Sequence, residues 1–204
     1  IEEEPLFYFG RYTGETPGGS WNPNTEQINQ SKADEINSIA KDIKEQLFFQ
    51  EQSPNSVGQF ALPLNGEMIT RWDMLDAPPD ILISNTSMLN VMLMRQNEDA
   101  IFSKTKNWLK SDIKNKFTLI VDELHAYRGT SGAEVAITIR KFLDRIGLSF
   151  DSKQLKIIAT SASIGDDENG KEFVQRFFGT DKNKFVFLSG SPKSSYESKE
   201  HPEQ

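Results

Sequence analysis

The stretch Phe117-Thr118-Leu119-Ile120-Val121-Asp122-Glu123-Leu124-His125 decides how this chain is read. Its first five residues are apolar or β-branched and lack strict alternation, which is the pattern of a strand buried on both faces of a parallel sheet. Two adjacent carboxylates close the run. In an open α/β sheet, ligands bind outside the carboxyl ends of the strands, where these acids would lie. Asp122 is therefore a candidate to hold Mg²⁺, and Glu123 a candidate to orient or deprotonate an attacking water. The competing interpretation is a strand-to-loop junction whose acids simply meet solvent.

Working outward, four more apolar runs read as strands: 6–9, 81–84, 155–159 and 185–188. Between them lie helical patterns. Ile36, Ile39, Ala40, Ile43 and Leu47 form a stripe of 3.6-residue period, and Ala136, Ile139, Leu143 and Ile146 form another, with Gly147 placed to end it. Phe173, Phe177 and Phe178, followed by Gly179, mark a third. Alternation of strands and helices predicts an α/β fold with a mostly parallel sheet flanked by helices. Residues 13–24 and 53–71 are rich in turn formers and read as irregular, and 189–204 as a polar tail or linker after a unit spanning 1–188. Ser131 and Glu134 fit a capping box at a helix start.

Composition narrows the classes. The 204 residues suffice for one domain or for part of a larger machine. With no cysteine, disulfides and thiolate metal sites are excluded, which fits a cytoplasmic protein. No run is long enough to span a bilayer, so no membrane partner is expected. A net charge of −7 argues against a basic coat for nucleic acid but allows a local groove. Ile1 is not a natural start residue, which leads us to expect a piece of a longer chain.

His125 follows the acids closely, and Thr160-Ser161-Ala162-Ser163 follows the 155–159 run. Small hydroxyl side chains at a strand end can bond to an imidazole and a carboxylate without steric cost. Separately, these residues read as a loop histidine and an ordinary turn. Upstream, Pro79-Asp80-Ile81-Leu82-Ile83-Ser84-Asn85-Thr86-Ser87-Met88-Leu89 runs from a strand into a helix N-terminus.

Taken in this order and spacing, the chain resembles superfamily 2 DEAD/DEAH-box (DExH) helicases, in particular large bacterial members, over roughly residues 6 to 165. Asp122-Glu123-Leu124-His125 is similar to their motif II, Ser161-Ala162-Ser163 to motif III, and 78–89 to the segment leading into motif Ib. Ser163 stands for the commoner threonine, and Leu124 for the alanine of the strict DEAH form. The resemblance implies a RecA-like lobe of the P-loop NTPase class, with ATP and Mg²⁺ as cofactors. It further implies Asp122 as Mg²⁺ ligand, Glu123 as activator of water, and His125, Ser161 and Ser163 as residues coupling nucleotide state to domain movement. Thr86 and Ser87 would offer a hydroxyl and backbone N–H groups to a nucleic-acid phosphate, DNA rather than RNA, with Arg11 and Tyr12 lining the same track. Thr86 can also act as an N-cap.

One part of such a site is missing. A phosphate loop needs Gly-x-x-x-x-Gly-Lys-Ser/Thr. Gly165-Asp166-Asp167-Glu168-Asn169-Gly170-Lys171-Glu172 has the glycine and lysine spacing, but its acids would repel a triphosphate and Glu172 lacks the hydroxyl a metal needs. It reads as a solvent-exposed acidic loop. The expectation is thus an incomplete first lobe, inactive alone, whose phosphate-loop unit and second RecA-like lobe are supplied elsewhere in the helicase chain. Two other classes stay open: a non-catalytic RecA-like scaffold or nucleic-acid-binding module, and a metal-dependent hydrolase or nuclease using the two acids.

Overall fold

Parallel pairing dominates the architecture. The computed structural model describes residues 6–18, 30–52 and 66–190. The expectations for 19–24, 53–65 and 191–204 lie outside the described residues. Strands β1 (Phe9–Tyr12), β2 (Glu67–Met68), β3 (Ile81–Ser84), β4 (Phe117–Val121) and β5 (Leu155–Ala159) are interleaved with helices. These are α1 (Gln30–Gln52), α2 (Arg71–Asp76), α3 (Thr86–Met94), α4 (Asp99–Ser111), α5 (Gly129–Arg145) and α6 (Glu168–Phe178). The strands form two sheets, β2-β1-β3 and β4-β5, and every pairing is parallel. The β4–β5 ladder runs in register from Phe117 opposite Leu155 to Val121 opposite Ala159, so both strands finish at the same edge.

The α/β class and the strands at 81–84, 117–121 and 155–159 agree with the sequence. Several details differ, each for a physical reason. The first strand lies at 9–12, not 6–9, and Leu6 is fully exposed. Gly10, which looks like a breaker, belongs inside the strand: a Cβ there would sit 2.6 Å from Met74 Sδ and 3.1 Å from the Met68 carbonyl. Residues 67–71, expected to be irregular, supply β2 and the start of α2. A reciprocal capping box of Thr70 and Asp73 opens that helix. The 185–188 run is not a strand; Phe185 and Phe187 pack on the core while Val186 and Leu188 are exposed, an extended segment held by side chains rather than by a ladder.

Helix α4, absent from the sequence reading, buries Ile101, Phe102 and Leu109. Helix α5 ends as expected. Gly147 has φ +80°, and the N–H groups of Gly147 and Leu148 return to the carbonyls of Asp144 and Leu143 at 2.9 and 2.8 Å. The Ser131/Glu134 capping box does not form; Arg128 is the N-cap residue, without a side-chain bond, and the Ser131 hydroxyl donates to the Arg128 carbonyl. The acids of 165–172 are exposed, as expected, but the loop ends at Asp167, where α6 begins. Asp167 caps α6 by accepting from the Gly170 N–H at 2.7 Å, and Lys171 pairs with Asp166 at 2.7 Å. Those acids are used to start a helix.

One core unites the inward residues of α3 to α6, including Met88, Met92, Phe102, Ala136, Ile139, Leu143, Val174, Phe177 and Phe178. Phe117, Leu119, Leu155 and Ile157 pack against it from β4 and β5. The opposite faces of the strands, with Ile83, Ile120 and Ile158, are exposed in the described residues. Burial on both faces, expected from the apolar runs, is therefore met on one face only. Along α1, Ile36 and Leu47 of the helical stripe are likewise exposed.

Candidate functional site

The ladder between β4 and β5 does not stop where the strands end. The Thr160 N–H donates to the Val121 carbonyl at 3.0 Å, and the Leu124 N–H donates to the Thr160 carbonyl at 2.8 Å. Between these two bonds the chain turns sharply. Glu123 takes up φ 52°, ψ 45°, the left-handed region, and is the one non-glycine residue with positive φ among the described residues. Such a conformation costs about 1–3 kcal/mol and persists where its surroundings enforce it, commonly at functional sites. Leu124, 2% exposed, anchors the far side of the turn in the core, and a short 3-10 turn, Leu124–Ala126, carries His125 back over the site.

Hydrogen bonds organise the exposed carboxylates. The Thr160 hydroxyl donates to Asp122 Oδ1. The Glu123 N–H donates to Asp122 Oδ1 and to Thr160 Oγ1, both at 3.1 Å. His125 Nδ1 lies 3.2 Å from Glu123 Oε2, and Ser161 Oγ lies 3.5 Å from the same nitrogen. An ionised glutamate only accepts, so a proton on Nδ1 would complete this contact. Ser161 Oγ in turn accepts the backbone N–H groups of Ser163 and Ile164 at 3.3 and 3.1 Å. The structure thus brings together Asp122, Glu123, His125 and Ser161. Ser163 joins through its backbone, its N–H serving the Ser161 side chain. Thr160, which the sequence placed in the hydroxyl row without a role, is at the centre.

Both hydrogen bonds to Asp122 fall on Oδ1, which leaves Oδ2 for a cation. No group of three or more potential metal ligands exists among the described residues. That donor set fits Mg²⁺, which is held by one or two carboxylates with phosphate and water completing its shell; it does not fit an all-protein cage.

Of the remaining candidates, Thr86 and Ser87 follow the carboxyl end of β3, and Arg11 and Tyr12 are the last two residues of β1. Thr86 and Ser87 are the first two residues of α3. The N-cap is Asn85, not Thr86: its side chain accepts from the Met88 N–H at 2.7 Å, because its extended backbone (φ −106°) directs the amide at the open helix end. Arg11 is exposed and borders a cavity of about 290 Å³ with residues of α1 and β2. Tyr12 is not on an open track. It is 0% exposed, its hydroxyl donates to Glu98 Oε1 at 2.9 Å, and the Arg71 guanidinium lies 5.5 Å from its ring centre. Glu98 is itself buried, with Oε2 lacking a hydrogen-bond partner. The Ser84 hydroxyl, donating to the Tyr12 carbonyl at 2.7 Å, ties this strand end to its neighbour.

Burial, together with the bond to Glu98, holds the Tyr12 phenol well above its ordinary range. The unfolded chain releases that proton near pH 10 while the folded chain keeps it, so deprotonation favours unfolding. Stability contributed by Tyr12 is therefore present below about pH 10 and declines as the pH rises above it. Tyr12→Phe removes the hydrogen bond to Glu98 and leaves that carboxylate the Arg95 guanidinium at 4.0 Å; it is expected to cost about 1–3 kcal/mol in urea unfolding at neutral pH. The same variant should lose part of the decline in stability between about pH 9 and 11; an unchanged decline would show that Tyr12 does not cause it.

No family model matches the chain, and no solved structure matches it significantly. It is 43% identical over 139 residues to Druantia protein DruE of Escherichia coli (strain UMEA 4076-1), which covers 67% of this chain. It is 30% identical over 111 residues to the uncharacterized ATP-dependent helicase MJ1574 of Methanocaldococcus jannaschii. With ATP-dependent helicase hrq1 of Schizosaccharomyces pombe it shares 28% identity over 116 residues. These two alignments cover 54% and 57% of this chain. The matched regions span only 8%, 14% and 10% of the three relatives' own lengths.

Proposed function

From a chain homologous to ATP-dependent helicases and consistent with their DExH type, we propose that Asp122 and Glu123 form the hydrolytic half of an ATPase site. That site would drive movement along DNA in a complete helicase. The observation that carries it is the cluster at the end of β4 and β5: Asp122 and Glu123 on a left-handed turn, with His125 against the second acid and Ser161 against His125.

Asp122 would hold Mg²⁺ through Oδ2, and the bound metal would neutralise phosphate charge. Glu123 sits one residue further on, with both oxygens on an exposed side chain. It is suited to orient the attacking water and accept its proton. His125 Nδ1 is shared between Glu123 and Ser161, so a change at the carboxylate would be felt by the Ser161 hydroxyl and the segment leading into α6. Thr86 and Ser87 at the start of α3, with Arg11 exposed on β1, would meet the DNA backbone. No helix of the described residues is long and apolar enough to cross a membrane. A cytoplasmic place fits the cysteine-free composition.

None of the 204 residues forms a Gly-x-x-x-x-Gly-Lys-Ser/Thr loop. We assign that loop, and the second RecA-like lobe, to other parts of the helicase, so this chain alone should neither bind ATP tightly nor hydrolyse it. The test is ATP hydrolysis by the complete helicase with and without single-stranded DNA. Turnover on the order of 1–1,000 per second, stimulated by DNA and abolished by chelating Mg²⁺, is expected. Hydrolysis that ignores both DNA and chelator would overturn the assignment.

A further inference from the structure

We propose that Thr160 is a positioning residue for the acidic pair, a role that rests on the ATPase reading above. One residue meets four consecutive residues of the turn. Its N–H donates to the Val121 carbonyl, its hydroxyl donates to Asp122, the same hydroxyl accepts from the Glu123 N–H, and its carbonyl accepts from the Leu124 N–H.

The backbone pair could come from any residue at this place in the ladder. The hydroxyl pair could not, because it needs a group that donates and accepts at once. Its donation fixes Asp122 Oδ1 and so directs Oδ2 outward. Its acceptance satisfies the N–H of the one residue held in a left-handed conformation. Thr160 therefore couples the orientation of the metal-binding acid to the backbone geometry of the water-activating acid. It makes no bond to His125, which is served by Ser161, so its role is separate from that relay. Threonine also suits the spot sterically: it continues an extended strand, where its branched Cβ is favoured.

Thr160→Val keeps the branched shape and both backbone bonds but removes the hydroxyl. Thr160→Ser keeps the hydroxyl. In the complete helicase, Thr160→Val should lower kcat about 10–100-fold and raise the Mg²⁺ requirement by a similar factor, as loss of a supporting bond to a metal ligand does elsewhere. KM for ATP should change little, because the interaction matters at the reacting centre rather than in ground-state binding. Thr160→Ser should restore most of the activity. A second readout is independent of turnover: hydrogen exchange of the 121–126 backbone should be faster in Thr160→Val and near normal in Thr160→Ser. Thr160 is exposed, so both variants should keep the fold, and Thr160→Ala provides a further hydroxyl-free variant should valine misfold.

Equal losses in the valine and serine variants would overturn the proposal, as would normal turnover and normal exchange in Thr160→Val. If Glu123→Gln abolishes turnover while Thr160→Val does not alter it, the ATPase reading stands and this inference fails. Normal turnover in Glu123→Gln would remove the ATPase reading. The exchange comparison would then still decide whether the Thr160 hydroxyl fastens the turn.

Discussion

Glu123→Gln in the complete helicase is expected to lower DNA-stimulated ATP turnover on the order of 100- to 10,000-fold while leaving ATP binding intact. Glutamine preserves the length of the side chain and can still accept a hydrogen bond from His125 Nδ1, which now lies 3.2 Å from the carboxylate. It places no new demand on the left-handed backbone, since glutamate and glutamine have equally large side chains there. What it cannot do is take a proton from water. The magnitude separates the two roles. Weakening only the contact with His125 would be worth about 1 kcal/mol, or roughly fivefold, whereas loss of general-base catalysis is far larger. Turnover and equilibrium ATP binding, measured side by side, check the result. Turnover within about twofold of the unaltered protein would sink the catalytic assignment of Glu123.

Phe178→Ala is expected to remove about 3–5 kcal/mol of folding stability. Phe178 is 0% exposed at the end of α6, and three rings surround it. Phe150 meets it edge-on with centroids 5.6 Å apart, Phe177 edge-on at 4.9 Å, and Phe185 stacks at 5.4 Å. Aromatic contacts of this kind add about 0.5–1.5 kcal/mol each beyond the area buried, which places the loss towards the upper end. Against a typical total of about 5–15 kcal/mol, the change would leave a marginal protein. Urea unfolding measures it directly. A loss below about 1 kcal/mol would mean that the site collapses around the cavity and that Phe178 is not a keystone of this cluster. The substitution should also free the segment from 185 onward, which is attached by Phe185 and Phe187 rather than by strand pairing.

That segment shows why some elements were legible and others were not. The run Phe185-Val186-Phe187-Leu188 has strand composition, yet whether it becomes a strand depends on a partner at hydrogen-bonding distance. Burial alternates along it as in a strand, and pairing is absent among the described residues. Gly10 shows the opposite case. Glycine is locally a poor strand former, but the Met74 side chain and Met68 carbonyl leave room for nothing larger. Helix α4 is legible by the same rule as α5: Ile101, Phe102 and Leu109 fall on one face at helical spacing, with lysines and polar residues on the other. That face packs against α2 and α5, where Phe102 meets Phe142.

At the site, the acids, the histidine and the hydroxyl row were all visible as residue types following apolar strands. Sequence alone determined the α/β class, the strands carrying the site, and the candidate chemistry, because periodicity and residue type are local properties. Tertiary structure decided which of these residues meet. Parallel registration of β4 on β5 sets Thr160 beside Asp122 and Glu123 and brings Ser161 to His125, across gaps of 36 to 38 residues that no local pattern encodes. It also withdrew Tyr12 from the surface, because alternation along β1 puts it on the face opposite exposed Arg11, where a buried glutamate received it.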